Sequence, residues 1–476
     1  MTMGRTTQPA RSEGPLLHRC TTKETRALMS AEYSARSVSE TEGVDKVRAL
    51  QRVLYRSAKS DPARRFHALY HHVVRSDILW RAWGAVVTNR GAPGVDGQSI
   101  ESVEDSGVGE FLQSLAEELK AKTYRPRPLR RVHIPKPGQP GKTRPLGIPC
   151  VRDRVVMAAA KTVLEPIFEA DFLPASFGFR PKRLVHMANE VIRTEANRGA
   201  DWVLDADVSD CFGSIDHKAL MTLVAKRVVD RQMLKLIRSW LRAGVLEDGV
   251  VADVESGTPQ GSPISPLLAN IALHVLDVEW EKAGRRLGVL IRFADDFVVL
   301  CASKARAEEA RVRAVAVLST LGLQLHPEKT RIIRLTKGEE GFDFLGFHHR
   351  KVEAWRWPGH FYLQRWPSKR AMGSIRDKVR AATDRKLVGY SVETAVECLN
   401  PVLRGWGNFF RYGNSARKFT SVDMYVHMRL ARLASAKYGL SHRNWAKGNR
   451  FDLEWLSGLG VYRLTGTVRR WERAHA

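Results

Sequence analysis

Two adjacent carboxylates, Asp295 and Asp296, stand between two apolar runs, Val289-Leu290-Ile291 and Phe297-Val298-Val299-Leu300. Apolar runs this short, broken by a polar step, read as a strand, a tight turn carrying both acids, and a second buried strand. Side by side the two charges repel, and hard carboxylate oxygens so placed draw a divalent cation such as Mg²⁺ as counter-charge. A solvated hairpin turn, in which Asp merely suits the backbone, is the competing reading. A second acidic strand lies upstream in Trp202-Val203-Leu204-Asp205-Ala206-Asp207-Val208, followed by Ser209-Asp210-Cys211-Phe212. Strand alternation puts Asp205 and Asp207 on one face, roughly 7 Å apart. Spacing alone lets either of them meet the acids of the turn.

These acids are an exception in the chain's charge. A net charge of +26 and a pI of about 10.2 imply a polyanionic partner, and nucleic acid is the foremost one. A basic membrane-surface protein would concentrate its charge on one amphipathic helix. No such helix is read here, nor any apolar run near the roughly 18 residues of a span, so no membrane partner is expected. The five cysteines, Cys20, Cys150, Cys211, Cys301 and Cys398, form no Cys-x-x-Cys pair and follow no secretory segment. Neither a disulfide framework nor a zinc site is expected, which fits a reducing cytoplasm with the protein at the nucleoid. A length of 476 residues allows about three domains.

Taken in order, residues 1–45 show no sustained periodicity and read as a flexible tail. Helical patterning begins near Val44 with Val47, Leu50, Val53 and Leu54, and Gly94-Val95-Asp96-Gly97 is a turn signal. Residues 127–148 read as two strand-like pieces around a Pro/Gly loop with Lys136, Lys142 and Arg144 at its ends. Such a hairpin suits a triphosphate, because Arg grips phosphate oxygens in bidentate fashion and Lys acts as a mobile point charge. A helix follows over 153–169, with Val155, Val156, Ala159, Val163, Leu164 and Ile167 as its buried stripe. Then come Ser176-Phe177-Gly178-Phe179-Arg180-Pro181, an Asp216 helix cap, Gly257-Thr258-Pro259-Gln260-Gly261-Ser262-Pro263-Ile264 and a helix over 267–278. Past the turn acids stand Leu321-Gly322-Leu323-Gln324-Leu325-His326-Pro327-Glu328-Lys329-Thr330 and Phe342-Asp343-Phe344-Leu345-Gly346-Phe347.

These blocks, in this order, resemble the palm of a reverse transcriptase, and the Gln260 block resembles the nucleotide cradle of the group II intron branch. The resemblance implies that Asp207 and Asp295 bind two Mg²⁺ ions, for which Mn²⁺ can substitute, that the Val208 carbonyl completes one site, and that Asp296 supports both from the turn. Asp205 is then a bystander. It further implies that Lys136 and Arg144 clamp the triphosphate and that Asp210, Cys211, Phe212 and Gln260 line the incoming nucleotide, with the Phe212 ring beneath its sugar. Lys329 would donate a proton to the leaving pyrophosphate. Phe293 stands where the family most often has Tyr, near the primer end, which Leu345, Gly346 and Phe347 would seat. The Gly-Val-Asp-Gly turn would lie in a fingers extension over the template. Arg180 is open to a template-backbone contact or a structural salt bridge.

From Trp366 to Ala476 the chain has 21 Lys plus Arg against 8 Asp plus Glu, half of the whole excess. Helices are expected over 374–387 and over 392–412, the second with a break at Pro401, leaving Arg376, Lys378, Arg380, Arg404 and Arg411 available to RNA phosphates. Leu399-Asn400-Pro401-Val402-Leu403-Arg404-Gly405-Trp406-Gly407-Asn408-Phe409-Phe410-Arg411-Tyr412 resembles the maturase or thumb segment of group II intron proteins. The implied architecture is α+β: a right-hand polymerase with fingers over 46–200 and a palm over 201–350 holding an antiparallel sheet backed by helices. An all-helical thumb/maturase domain over 366–440 and a short basic tail over 441–476 would follow, with no nuclease domain. The implied activity is RNA-directed DNA synthesis from deoxynucleoside triphosphates on an RNA template with a DNA primer. As a maturase the protein would also bind its intron RNA, and in mobility its target DNA. The runners-up are a reverse transcriptase of a defence or CRISPR system and an RNA-binding splicing factor with a vestigial polymerase site.

Overall fold

The helical periodicity around Val47 becomes α1 (Ser37–Ser60), which begins inside the stretch expected to be a flexible tail. It is followed by α2 (Ser76–Asn89) and α3 (Val108–Lys120), whose apolar faces are buried. The computed structural model describes residues 37–135, 141, 143–247, 249–252, 256–335, 340–439 and 451–469. The chain divides into two compact units, one of residues 39–340 and one running from Gly341 onward. The break falls ahead of the Leu345-Gly346-Phe347 segment.

In the first unit β1 (Leu129–Pro135) and β2 (Thr143–Ile148) pair antiparallel as expected, with Ile134 opposite Arg144. α4 (Val151–Glu169) buries its whole predicted stripe and also Asp153, which accepts from the Tyr124 hydroxyl at 2.6 Å and the Arg127 amide at 3.1 Å. Then come α5 (Val185–Asn197), β3 (Trp202–Asp207), α6 (His217–Ala225) and α7 (Arg231–Leu241). The Asp216 carboxylate caps α6 by accepting from the Ala219 amide at 2.6 Å. β4 (Val245–Glu247) and β5 (Val250–Ala252) extend the first sheet in the order β2-β1-β4-β5.

α8 (Ser265–Glu279) leads to β6 (Val289–Phe293), β7 (Asp296–Cys301), α9 (Lys304–Ser319) and β8 (Arg331–Arg334). The second sheet, β6-β7-β3-β8, is antiparallel throughout, and α5 and α9 pack on it. Its central residues, among them Val203, Leu204, Ile291, Val298 and Val299, are fully buried. One hydrophobic cluster runs from Val47 to Leu323, through both the expected fingers and the expected palm.

The second unit opens with a sheet that the sequence left unassigned over 351–365. β9 (Phe342–Phe344), β10 (Phe347–Ala354) and β11 (Trp357–Pro367) pair antiparallel in the order β11-β10-β9. α10 (Lys369–Ala382), α11 (Val392–Phe410) and α12 (Ala416–Lys437) follow. α11 passes through Pro401 without the expected break. Pro401 sits on the exposed face, while Leu399, Leu403, Gly407 and Phe410 bury the other, and that packing outweighs the missing amide. The expected tail is not a free arm over its described part. After α13 (Leu453–Gly458), Asn400 bonds the Gly460 carbonyl at 2.9 Å and the Tyr462 amide at 2.7 Å, and Asp423 accepts from the Leu464 and Thr465 amides. Leu464 is buried at Gly407, where a Cβ would lie 2.5 Å from its side chain.

Candidate active site

The antiparallel register decides between the two strand acids. Asp207 stands directly opposite Asp296, whereas Asp205 stands opposite Val298 and Arg331 and pairs with Arg331 at 3.3 Å. Phe293 pairs with Asp296, so the hairpin loop is Ala294-Asp295, and Asp296 is the first residue of β7 rather than part of the turn. Ala294 takes φ 58°, the left-handed conformation that a two-residue hairpin needs at its first loop position. Three carboxylates thus meet where β3 and β7 end and begin. Asp296 keeps an edge open to solvent, yet the chain around its carboxyl, and after it the Asp295 and Asp207 charges, push it up to about 7. Burial and then the Asp207 charge raise Asp295 as well. An all-oxygen set of mutually repelling carboxylates suits a hard divalent cation, so the donors fit Mg²⁺ or Mn²⁺. Among the described residues no three such side chains already stand at ion-holding geometry. The Lys329 ammonium rests on Asp207. Val208 is buried, and the two bonds beside it, Ser209 amide to Gln324 carbonyl and His326 amide to Asp207 carbonyl, do not use its own carbonyl.

The turn is held from behind by a group that sequence reasoning passed over. Arg292, wholly buried in β6, donates to Asp277 through Nε at 2.8 Å and Nη2 at 2.6 Å, to Asn270 at 3.0 Å, to Ser176 at 2.8 Å and to the Ala294 carbonyl at 2.9 Å. Burial alone would raise the Asp277 carboxyl, but the Arg292 charge and bonds hold it below the usual range. The signal was an arginine inside an apolar strand, since such a charge needs a buried partner. The Ser176–Pro181 block leans on the same turn. Phe177 donates to the Arg292 carbonyl and Arg292 to the Ala175 carbonyl, both at 2.8 Å. A Cβ on Gly178 would lie 2.3 Å from the Ala294 nitrogen, so only glycine fits there.

Arg180 resolves to the salt bridge. It is buried, forks onto Glu169 and donates to the Leu173, Ser176 and Phe172 carbonyls, so no donor is left for a template backbone. Arg144 lies near enough for its charge to lower Asp295. Lys136, like its neighbour Lys142, lies outside the described residues. The Gln260 loop is tied to β2 by the Gly147 amide, which donates to the Gln260 carbonyl at 2.8 Å, and the Gln260 amide reaches Asp210 at 3.5 Å. Asp210 takes φ 37° ahead of a short helical turn. Cys211 is a correction: its side chain is buried in the core and its thiol is pushed up to about 12, first by burial and then by Asp295. Phe212 is half-buried, with its ring edge-on to Phe179 at 6.5 Å.

In the second unit Leu345 and Gly346 form a two-residue turn with φ 50° and 82°. Gly346 is exposed and Leu345 half-buried, whereas Phe347 is fully buried against Phe409 and Phe410, so it holds the turn instead of meeting a primer. Arg376, Lys378, Arg380 and Arg404 are exposed. Arg380 pairs with Asp377 at 2.8 Å, Arg376 reaches Ser421 at 3.3 Å, and Arg404 lies over the Tyr462 ring at 5.3 Å. Arg411 is half-buried and bonded to Asn408 and the Tyr412 hydroxyl.

Comparison with known proteins agrees with this geometry. Residues 134–349 match the model of the reverse transcriptase (RNA-dependent DNA polymerase) family, and residues 372–451 match the group II intron, maturase-specific domain. Protein YkfC of Escherichia coli is 34% identical over 342 residues, 64% of this chain and 87% of that protein. The group II intron-encoded protein LtrA of Lactococcus lactis is 39% identical over 214 residues, 44% of this chain but 35% of that protein. A 91 kDa protein in the cob intron of Schizosaccharomyces pombe is 27% identical over 402 residues, 70% of this chain and 48% of that protein. A solved Cas6-RT-Cas1–Cas2 complex superposes at a TM-score of only 0.35, with 25% identity over 53% of this chain and 42% of that one. A likeness that partial carries no argument.

Proposed function

Since the chain belongs to the group II intron-encoded reverse transcriptases that carry a maturase domain, we propose that it copies RNA into DNA and binds its own intron RNA, assisting splicing and mobility. The observation that carries the polymerase half is the register that sets Asp207 against Asp296 beside Asp295. The reaction is in-line attack of a primer 3′-hydroxyl on the α-phosphate of a deoxynucleoside triphosphate, with pyrophosphate leaving. Divalent ions held by Asp207 and Asp295, with the Val208 carbonyl, would neutralise phosphate charge and ease loss of the hydroxyl proton. The remaining roles fall to this chain's own groups. Arg144 faces the acids from β2 and takes the triphosphate charge. Phe212 lies under the sugar and leaves no room for a 2′-hydroxyl, while the Gln260 loop, fixed to β2, lines the base. Lys329, already at Asp207, is within the site to protonate the leaving group. The Leu345-Gly346 turn seats the primer, and the exposed cations of α10 and α11 take intron phosphates.

Primer extension on an RNA template by the purified chain tests the first half. DNA product that requires Mg²⁺ or Mn²⁺ is expected, and a folded protein that makes none with either ion would sink it. Stimulated splicing of the cognate intron at low Mg²⁺ tests the second half.

A further inference from the structure

A groove of about 1040 Å³ opens between α6 and α7, lined from a third side by Arg65. Lys218, Met221, Thr222, Ala225 and Lys226 recur along α6 at the spacing of one helical face, and Arg238, Leu241 and Arg242 supply the facing stripe on α7. Five cations face one carboxylate, Asp216, and that carboxylate is occupied in capping α6. His217, also on the groove, donates through Nε2 to the Gly257 carbonyl at 2.6 Å. Lys218, Lys226, Arg238 and Arg242 have no ion pair among the described residues, and all four are exposed. Among the described residues Arg65 makes only a backbone contact, to the Ala225 carbonyl. The next residue along, Arg227, shows the contrast: it is buried, and Asp171 pairs with it at 3.1 Å. Where this region uses a cation structurally, it provides an acid.

Helix dipoles explain part of the pattern, because Lys226, Arg238 and Arg242 sit at helix C-termini, where positive charge is favoured. They do not explain Lys218, which stands in the first turn of α6 against the dipole, or Arg65, which is on no helix. Arg238 and Arg242 are like charges one turn apart, which is unfavourable until an anion lies between them. The walls are partly apolar, through Met221 and Leu241, and suit a sugar-phosphate chain better than a single small anion.

We propose that this groove binds the phosphodiester backbone of structured RNA, as a second contact surface apart from the acid site and from the cations of α10 and α11. The proposal rests on the reading that the chain holds its intron RNA, and it names where else on the chain that RNA is gripped. The test is a triple variant, Lys218→Gln, Arg238→Gln and Arg242→Gln, none of which belongs to the acid site. Its affinity for the intron RNA should depend less on salt by a slope of about 2 to 3, from 0.7 to 0.9 per lost phosphate contact. Between about 50 and 200 mM salt the parent should therefore lose roughly 20- to 40-fold more affinity than the variant. Extension of a short primer–template should be unchanged, and the charge-keeping variant Lys218→Arg, Arg238→Lys, Arg242→Lys should retain the parent slope. An unchanged slope in the Gln variant would overturn the proposal. Equal loss on the short primer–template would place the groove in the template path and overturn it too. Failure of the functional reading would show differently, as a parent protein that neither binds the intron RNA with a salt-dependent affinity nor stimulates its splicing.

Discussion

In the unit of residues 39–340 three carboxylates are gathered where β3 meets β7, in a chain of net charge +26, while the unit from Gly341 onward spreads its cations over exposed faces of α10 and α11. The gathered acids repel one another, so they need a frame that cannot relax, and Arg292 with Asp277, Asn270 and Ser176 supplies it from the core. The spread cations need no such frame. Their partners are a neighbouring acid, a hydroxyl or an aromatic ring at the surface, contacts each worth little and easily exchanged for phosphate. On the proposed function, chemistry would sit on a rigid site and binding on an adaptable one.

The largest expected effect separates these two regions outright. Asp207→Ala or Asp295→Ala removes a carboxylate from the gathered site, and loss of several kcal/mol of charge stabilisation should lower RNA-templated primer extension by roughly 10³-fold or more. Intron RNA binding should persist. Loss of both activities in a folded variant would mean that one site serves both purposes.

Next comes the frame itself. Arg292→Met leaves Asp277 buried without its counter-charge, which should cost about 3–5 kcal/mol in denaturant unfolding. Adding Asp277→Leu should return much of that stability, because no lone charge remains. A single variant as stable as the parent would show that the acids are held by backbone pairing alone.

Much of this frame could be read ahead of the structure, and the unread part has a common cause. The β6–β7 hairpin, β3, the α4 stripe and the Asp216 cap follow from periodicity and local turn chemistry, which are properties of short segments. The choice of Asp207 over Asp205 is made by register, which depends on where two strands far apart in sequence align; in the sequence alone only the resemblance points to it. Cys211 and Phe347, read as ligand contacts, have side chains turned inward, and Arg180 takes the salt bridge of its two readings, because a motif gives a residue's position and not its rotamer. The β10–β11 hairpin escaped because His349 and Arg365, paired with each other on its buried face, break the apolar/polar alternation. The unbroken helix through Pro401 shows tertiary packing overriding local propensity.

A smaller effect bears on the spread cations. Replacing two or three of Arg376, Lys378, Arg380, Arg404 and Arg411 with Gln should flatten the salt dependence of RNA binding by about 0.7 to 0.9 per lost contact, across unrelated sequences. Primer extension on a short template should change little. A slope equal to the parent's would make these side chains a solvated face and leave the second unit's basic excess without a binding role.

The smallest effect concerns a residue that qualifies the contrast, because the second unit also hides one uncompensated group. His349 is fully buried in β10 and stacked on Phe342 at 5.0 Å, and neither ring nitrogen has a hydrogen-bond partner among the described residues. Burial first, and then the Arg365 charge, hold its pKa well below 6.5, so the folded chain keeps the ring neutral. The unfolded chain takes up a proton there below about pH 6.5. Its neutral burial therefore contributes no penalty above that pH, and stability is lost as pH falls beneath it, by up to about 1.4 kcal/mol per unit. His349→Phe keeps a stacked ring without a titrating nitrogen. Between pH 7.5 and 5.5 the parent should lose about 1.4 kcal/mol more than the variant in urea unfolding, all other titrating groups being common to both. The same pH dependence in the two proteins would show that the ring gains a proton or a water in the folded state.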